Sequence, residues 1–265
     1  MRMIDLSVDL RAGIASDPPN MLPTIEYLDH DAGAHDFVQM FPGLSVSQLP
    51  EGKGAALERV ILTTHNGTHM DAPWHFHPTM DGGKPALTID EVPLEWCFAD
   101  GVKLDMTEMP DGYVCSVDDV RRSLDLIEYN LKPFDIVMVN TSAATAYGTD
   151  RFLDAGCGMG REATLYLLEQ GVKITGTDGW SWDAPFSATR RRFEETGDPS
   201  VIWEGHKAGS EKGYCHMEKL TNLDRLPPHG FKVCCFPVKI AGASAGWVRP
   251  VAFIRDSEEQ ENLVE

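Results

Sequence analysis

The sequence holds six cysteines but no Cys-x-x-Cys pair, which argues against a thiolate zinc site of the finger or ribbon kind. It has no apolar run near the ~20 residues that span a bilayer. The opening Met1-Arg2-Met3-Ile4-Asp5-Leu6 lacks the apolar stretch of a secretory leader. We therefore expect a cytoplasmic protein with reduced thiols, several of them small core residues, and no membrane partner. Positive charge is scarce. The 23 Lys and Arg against 41 Asp and Glu give a formal net charge of −18, which repels nucleic-acid phosphates and anionic lipid. Nucleic acid is thus discounted as a partner. No glycine/serine linker, low-complexity tract or internal repeat divides the 265 residues, so one domain over 1–265 is expected. The acidic run Asp256-Ser257-Glu258-Glu259-Gln260-Glu261 reads as a solvated, loosely ordered end.

What is present is a chain of short strands with few long helices. Ile4, Leu6, Val8 and Leu10 alternate with polar residues, the period of a half-buried strand. Residues 15–50 are rich in Pro, Asp and Gly and read as irregular, a flap. Arg59-Val60-Ile61-Leu62-Thr63 is a β-branched run. Ser116-Val117-Asp118-Asp119 has the form of a capping box, followed by Val120, Leu124 and Ile127 at helical spacing. Strands are expected at 134–139, 172–176 and 231–236, with a helix from Arg161 to Gln170 stopped by Gly171. The pattern predicts an α/β fold with mixed sheets.

The chemistry is concentrated in His65-Asn66-Gly67-Thr68-His69-Met70-Asp71-Ala72-Pro73-Trp74-His75, three imidazoles and one carboxylate within eleven residues. Imidazole and carboxylate are the ligands that Zn or Mn takes when thiolates are absent. Gly67 weakens a helix and Pro73 blocks its continuation, so the segment is expected to be a shaped loop at a strand end. In it His65, His69 and Asp71 make a facial set with coordination positions left open. His75, past the bend at Pro73, is either a further ligand or a proton carrier. We assign it the acid/base role, because a free imidazole titrates near ~6.5. His77 reads as a surface residue or a group behind the ligands. Thr68 is a turn residue or orients a ligand carboxylate. Trp74 and Phe76 flank His75 and would wall a flat aromatic substrate or pack in the core. Trp180 and Trp182 carry the same two readings.

The eleven-residue string fits H-x-G-T-H-x-D-x-P-x-H and resembles the signature of the metal-dependent cyclase hydrolases. That family includes bacterial kynurenine formamidases, isatin hydrolases and related cyclic amide or imide hydrolases. Ile4-Asp5-Leu6-Ser7 is similar to the family's first strand. Gly176-Thr177-Asp178-Gly179-Trp180-Ser181-Trp182-Asp183 resembles its G-x-D-x-x-S-x-D segment, and Glu218-Lys219-Leu220-Thr221-Asn222-Leu223 its E-x-L-x-N-L segment. Gly246-Trp247-Val248-Arg249-Pro250-Val251-Ala252 is similar to the closing segment, with Trp247 in place of the usual proline. The resemblance implies a layered β/β/α domain of the swivelling type and a homo-oligomer. It implies a divalent cofactor, Mn or Zn, held by His65, His69 and Asp71. A second ion, if bound, would share Asp71 and take His206 and Glu218. The implied reaction is hydrolysis of a C–N amide bond in a small molecule. The aromatic surround of His75 favours an isatin-like cyclic amide over N-formylkynurenine or a cyclic imide.

Three other readings compete with this one. Asp154-Ala155-Gly156-Cys157-Gly158-Met159-Gly160 looks like the glycine-rich loop of S-adenosylmethionine-dependent methyltransferases, with Asp178 at the spacing of a ribose-binding acid. The residues before it make a poor buried strand, and too little chain follows. Gly242-Ala243-Ser244-Ala245-Gly246 matches the Gly-x-Ser-x-Gly elbow, but the last histidine, His229, precedes Ser244, so it reads as a small-residue turn. A metal-binding protein without catalysis would lack open coordination positions.

Overall fold

The computed structural model describes residues 1–255; the acidic run from Asp256 lies outside the described residues. Nine strands form one mixed sheet. Its spatial order is Arg2–Asp5, Val251–Ile254, Phe231–Cys234, Phe98–Asp105, Ile136–Asn140, Ile174–Thr177, Cys215–Glu218, His69–Asp71 and Ala245–Trp247. The four central strands, from Phe98–Asp105 to Cys215–Glu218, run parallel, and every other pairing is antiparallel. The parallel strands require crossovers. Val117–Leu126 and Arg161–Glu169 supply two, and Phe186–Thr196 lies in the third.

Ile136–Asn140 is buried along its whole length because both sheet faces are covered. Ile136 and Met138 face one core with Ile4, Ala252, Met70, Met217 and Val248. That core therefore draws on both ends of the sheet, which must curl so that the ends face each other. Val137 and Val139 face a second core with Val120, Leu124, Ala163, Leu167 and Trp182, where the helices cover the outside. Two β layers and one helical layer result, as expected. Ser116 caps its helix as the sequence indicates: its amide donates to Asp119 Oδ2 at 2.9 Å and its hydroxyl accepts from the Asp119 amide at 3.3 Å.

The region 15–50 differs from its expected irregularity. Thr24–Leu28 pairs antiparallel with Leu57–Ile61, and His30–Met40 is a helix capped by Asp29, which accepts from the amides of Asp31 and Ala32. The Asp and Gly content that suggests loop serves here as a cap and as a close backbone approach. A Cβ on Gly54 would lie 2.2 Å from the Gly33 carbonyl carbon. Five of the six cysteines are buried. Among the described residues no helix is long and apolar enough to cross a membrane.

Candidate metal centre

His69–Asp71 is a short strand, not the shaped loop expected from Gly67 and Pro73. Those two residues act just outside it. Gly67 takes φ +63°, turning the chain so that His65 folds back. Pro73 opens one helical turn, Pro73–Phe76, which returns His75 toward Asp71. Within the strand the period of two sends Met70 into the first core and His69 and Asp71 to the opposite face. The register with Cys215–Glu218 sets Asp71 opposite His216, Met70 opposite Met217 and His69 opposite Glu218. Four ionisable side chains thus share one buried patch of sheet. His206 arrives from the helical turn Glu204–Lys207.

Asp71 sits at the centre. Its Oδ1 lies 2.9 Å from His65 Nδ1 and 3.2 Å from His69 Nε2. Its Oδ2 lies 3.1 Å from His216 Nε2, 3.8 Å from His75 Nε2 and 3.9 Å from His206 Nε2. Glu218 Oε1 is 3.2 Å from His216 Nε2 and 3.6 Å from His206 Nε2, and its Oε2 is 3.6 Å from His69 Nε2. Two ligand groups overlap at Asp71: one of Asp71, His206, His216 and Glu218, the other of His65, Asp71 and His75.

These close approaches are not hydrogen bonds. His69 Nε2, His216 Nε2 and both carboxylate oxygens of Asp71 are buried without a hydrogen-bond partner. Among the described residues only one other buried side-chain atom, Thr175 Oγ1, shares that condition. Each such group costs about 1–3 kcal/mol, and more when charged. A divalent cation is the species that would satisfy imidazole nitrogens and carboxylate oxygens together, so the donor set fits Zn or Mn.

The outer nitrogens are held separately. His69 Nδ1 donates to the Gly67 carbonyl at 3.0 Å, and His206 Nδ1 contacts Asp183 Oδ2. His216 Nδ1 meets the Tyr214 hydroxyl at 3.3 Å, and His65 Nε2 meets Ser244 Oγ at 3.1 Å. Among the described residues His75 alone of the five has no hydrogen bond to its ring. Asp183 also accepts from the amides of Gly205 at 2.7 Å and His206 at 3.0 Å, so it fixes the turn as well as the ring. Glu218 Oε1 accepts from the Trp182 amide at 2.9 Å.

Electrostatics separates the imidazoles. Burial opposes a charge on Asp71, yet the nearby His69 and His75, with His216 and His65 in contact, hold its carboxyl well below the usual range. Burial also opposes ionisation of Glu218, but His216 outweighs it and brings the carboxyl to about 2. Burial would lower His216; contact with Asp71 and Glu218 lifts it to about 9. His65 is raised in the same way, the Asp71 carboxylate overcoming burial. For His75 burial wins. It is farther from Asp71 and has His65 and His206 as neighbours, so it falls to about 4 and is neutral at pH 7.

Of the aromatic candidates, Phe76 is buried and stacks on His216 with centroids 5.0 Å apart. Trp182, fully buried, lies parallel to the same ring at 5.9 Å. Both pack the inner side of the centre. Trp74 is 45% exposed and makes no ring contact with the histidines among the described residues. Two aromatics meet the His75 ring edge to face, Phe76 at 6.0 Å and Trp203 at 5.0 Å, and Trp203 is also stacked on His206 at 4.5 Å. Trp180 donates to Asp17 Oδ1 at 3.1 Å, and His77 is exposed. Asp178 accepts from the amide and hydroxyl of Thr141 and from the Ala144 amide. It is thus committed to a loop, and a short helical turn, Phe152–Asp154, precedes Gly156 where a nucleotide fold would have a strand.

The sequence does not by itself mark His216, Trp203 or the buried ion pair of Lys219 with Asp17, and it marks Asp183 only as a residue of the G-x-D-x-x-S-x-D segment, not as the partner of His206. Lys219 Nζ donates to the His65 carbonyl at 2.8 Å, and the Lys219 carbonyl accepts from Thr68 Oγ1 at 2.7 Å. Asp17 accepts from Asn66 Nδ2 at 2.9 Å. One lysine therefore grips both ends of the turn that carries His65. A signal for His216 was present: it stands two residues before Glu218, on the same strand face.

A family model described as "Putative cyclase" matches residues 4–184. A kynurenine formamidase of Erythrobacter litoralis is 26% identical over 77% of this chain and 80% of its own. One of Salinibacter ruber is 25% identical over 75% and 79%. The structure of isatin hydrolase A from Ralstonia solanacearum superposes with a TM-score of 0.73 at 21% identity, over 96% of this chain and 92% of that one. The matched span contains the His65–His75 segment and Asp183, and more than half of the sequence; the chain belongs to the cyclase family.

Proposed function

We propose that this chain is a metal-dependent hydrolase that cleaves the C–N amide bond of a small cyclic aromatic amide of the isatin kind. The observation that carries the reading is the convergence of His65, His69, Asp71, His206, His216 and Glu218, all but His65 buried, with orphaned ligand atoms at its centre. His65, His69 and Asp71 would hold one ion, and Asp71, His206, His216 and Glu218 a second. A divalent cation there supplies an acidified water and a Lewis acid for the amide carbonyl.

His75 moves the proton. Its Nε2 lies 3.8 Å from Asp71 Oδ2, at the edge of the centre, and among the described residues its ring has no anchoring hydrogen bond. An anchored imidazole is built to be a ligand; an unanchored, neutral one can take a proton and turn to deliver it to the leaving nitrogen. In the overall reaction water oxygen bonds to the carbonyl carbon, the C–N bond breaks, and nitrogen gains the proton that His75 carries. Trp203, edge-on to His75, offers a flat substrate an aromatic wall. Asp183 keeps His206 oriented and needs no proton of its own.

A second reading, an arylformamidase acting on N-formylkynurenine, is favoured by the two formamidase relatives that align over three quarters of the chain. Cyclic imides are the third candidate. The test is turnover of isatin, a cyclic imide and N-formylkynurenine by protein loaded with Mn or with Zn. We expect isatin to be the best substrate, chelation to abolish activity, and His75→Ala to keep its metal while losing about 10²–10⁴ in rate. A metal-free sample with full turnover would overturn the metal-dependent mechanism, and no turnover of any of the three substrates by metal-loaded protein would overturn the amide-hydrolase reading. Preference for N-formylkynurenine would replace only the substrate. We further propose a homo-oligomer, supported by exposed apolar side chains on the Thr24–Leu28 and Leu57–Ile61 ribbon, Tyr27, Val60 and Ile61 among them. Light scattering after gel filtration would test this, and a monomer would refute it.

A further inference from the structure

The Gly242-Ala243-Ser244-Ala245-Gly246 segment has no role in the reading above. We infer that Ser244 is a positioning residue: it fixes the tautomer of His65 so that Nδ1 presents its lone pair to the metal centre. The inference rests on His65 being a ligand.

The backbone places the hydroxyl. Ser244 immediately precedes the edge strand Ala245–Trp247, whose register sets Ala245 opposite Asp71. The Ala72 amide donates to the Ser244 carbonyl at 2.9 Å, which locks residue 244 beside the end of the ligand strand. From there Oγ reaches His65 Nε2 at 3.1 Å. No other protein atom hydrogen-bonds the His65 ring among the described residues.

A neutral imidazole carries one N–H, and the partner of one nitrogen decides which it is. His69 and His206 have Nδ1 occupied by Gly67 and Asp183, and His216 has Nδ1 beside Tyr214; all three turn Nε2 inward. His65 is the reverse case. Its Nδ1 stands 2.9 Å from Asp71 Oδ1 outside hydrogen-bond geometry, and its Nε2 points at Ser244. In an isolated imidazole the Nε2–H form is the one that leaves Nδ1 free, and a hydroxyl accepting from Nε2–H holds that form and the ring angle. In that arrangement the Ser244 hydroxyl is an acceptor toward His65 and needs no base. The Gly-x-Ser-x-Gly resemblance to a nucleophile elbow is thus a matter of turn-forming residues; the serine faces a metal-binding histidine, not a triad.

The experiment compares wild type, Ser244→Ala and Ser244→Thr by competitive Zn titration against a chromophoric chelator and by long-range ¹H–¹⁵N correlation spectra of the Zn-loaded protein. Neither readout needs substrate, so a wrong choice of amide leaves the test intact. In wild type the His65 ring should show a metal-bound Nδ1 and a protonated Nε2. Ser244→Ala should weaken the weaker-bound or sole class of sites containing His65 by about 10–100-fold, the range for residues that orient ligands. Affinity at the His206, His216 and Glu218 group should be unchanged, and Thr should restore the hydroxyl and the affinity. Unchanged Zn affinity and an unchanged His65 spectrum in Ser244→Ala would overturn the inference. So would loss of turnover with metal binding and spectrum intact, the signature of a serine nucleophile. A uniform loss across all ligands that Thr does not rescue would mean general destabilisation and also defeat it.

Discussion

The two ends of the sheet are built alike and used differently. At one end Arg2–Asp5, Val251–Ile254 and Phe231–Cys234 form an antiparallel triple in which Ile4, Ala252 and Val233 stand in register and enter the first core. Their other face gives Met3 and Lys232 to solvent. At the opposite end Cys215–Glu218, His69–Asp71 and Ala245–Trp247 form a second antiparallel triple, and Met217 and Met70 enter the same core. There the other face is also buried, and it carries His69, Asp71, His216 and Glu218. Pleat and register cost nothing extra at either end. The burial of ionisable groups does cost, and it is tolerable only where partners or an ion compensate. With the same antiparallel pairing at both ends, it is the side chains on the second face that separate a structural edge from a chemical one.

Breaking the chemical end should have the largest effect. Asp71→Ala removes the one carboxylate shared by both ligand groups. Its ion affinity should fall by more than the ~10–100-fold typical of orienting residues, read by elemental analysis after equilibrium dialysis, and turnover should vanish. Next is Lys219→Met, which strands Asp17 in the interior. It should destabilise the fold by about 3–5 kcal/mol in denaturant melts, and the Asp17→Asn/Lys219→Met pair should recover much of that loss. Equal destabilisation in the single and double variants would show that the ion pair is not the clamp.

The structural end gives the contrasting case. Ile4→Ala should cost about 2–5 kcal/mol through its cavity, with ion affinity and turnover unaltered in the folded fraction. A change in ion affinity there would erase the distinction between the two ends.

The smallest effect is in proton linkage. The metal-free protein keeps His216 protonated at pH 7, because the two carboxylates raise it to about 9. Folded protein therefore holds that proton more tightly than unfolded chain. The contribution to stability is fully present below about 6.5 and fades as pH rises through about 9. Glu218 acts in the opposite sense: held at about 2, it stabilises above its unfolded value near 4.5 and loses that effect as pH falls toward 2. A cation must displace the His216 proton, so affinity should climb by up to about tenfold per pH unit between roughly 6.5 and 9. Titration calorimetry in buffers of different ionisation enthalpy would register the released proton; pH-independent binding without proton release would contradict the charge assigned to His216.

Much of the centre was legible because it is local. His65, His69, Asp71 and His75 lie in one string, and their residue types announce a metal before any fold is known. His206 and Glu218 became visible only through family resemblance, since a histidine and a glutamate far along the chain carry no spacing of their own. His216 is tied to Glu218 only by the period of two, a signal that counts once Cys215–Glu218 is known to be a strand. Trp203 and Lys219 depend on long-range packing and no local pattern marks them; Asp183 stands in the G-x-D-x-x-S-x-D segment, but its contact with His206 is visible only in the fold. Of the four central strands, Ile136–Asn140 and Ile174–Thr177 are recognisable from apolar, β-branched runs, whereas Phe98–Asp105 and Cys215–Glu218 carry no such run, and the Thr24–Leu28 ribbon and the His30–Met40 helix are hidden by residues that cap and turn.

The most direct test of the central claim is the metal content of purified protein measured alongside its amidase rate during chelation and reloading. A buried centre that holds a catalytic cation requires rate to fall with bound metal and to return with Mn or Zn in proportion to occupancy. Full-rate hydrolysis by protein verified to contain no metal would contradict it.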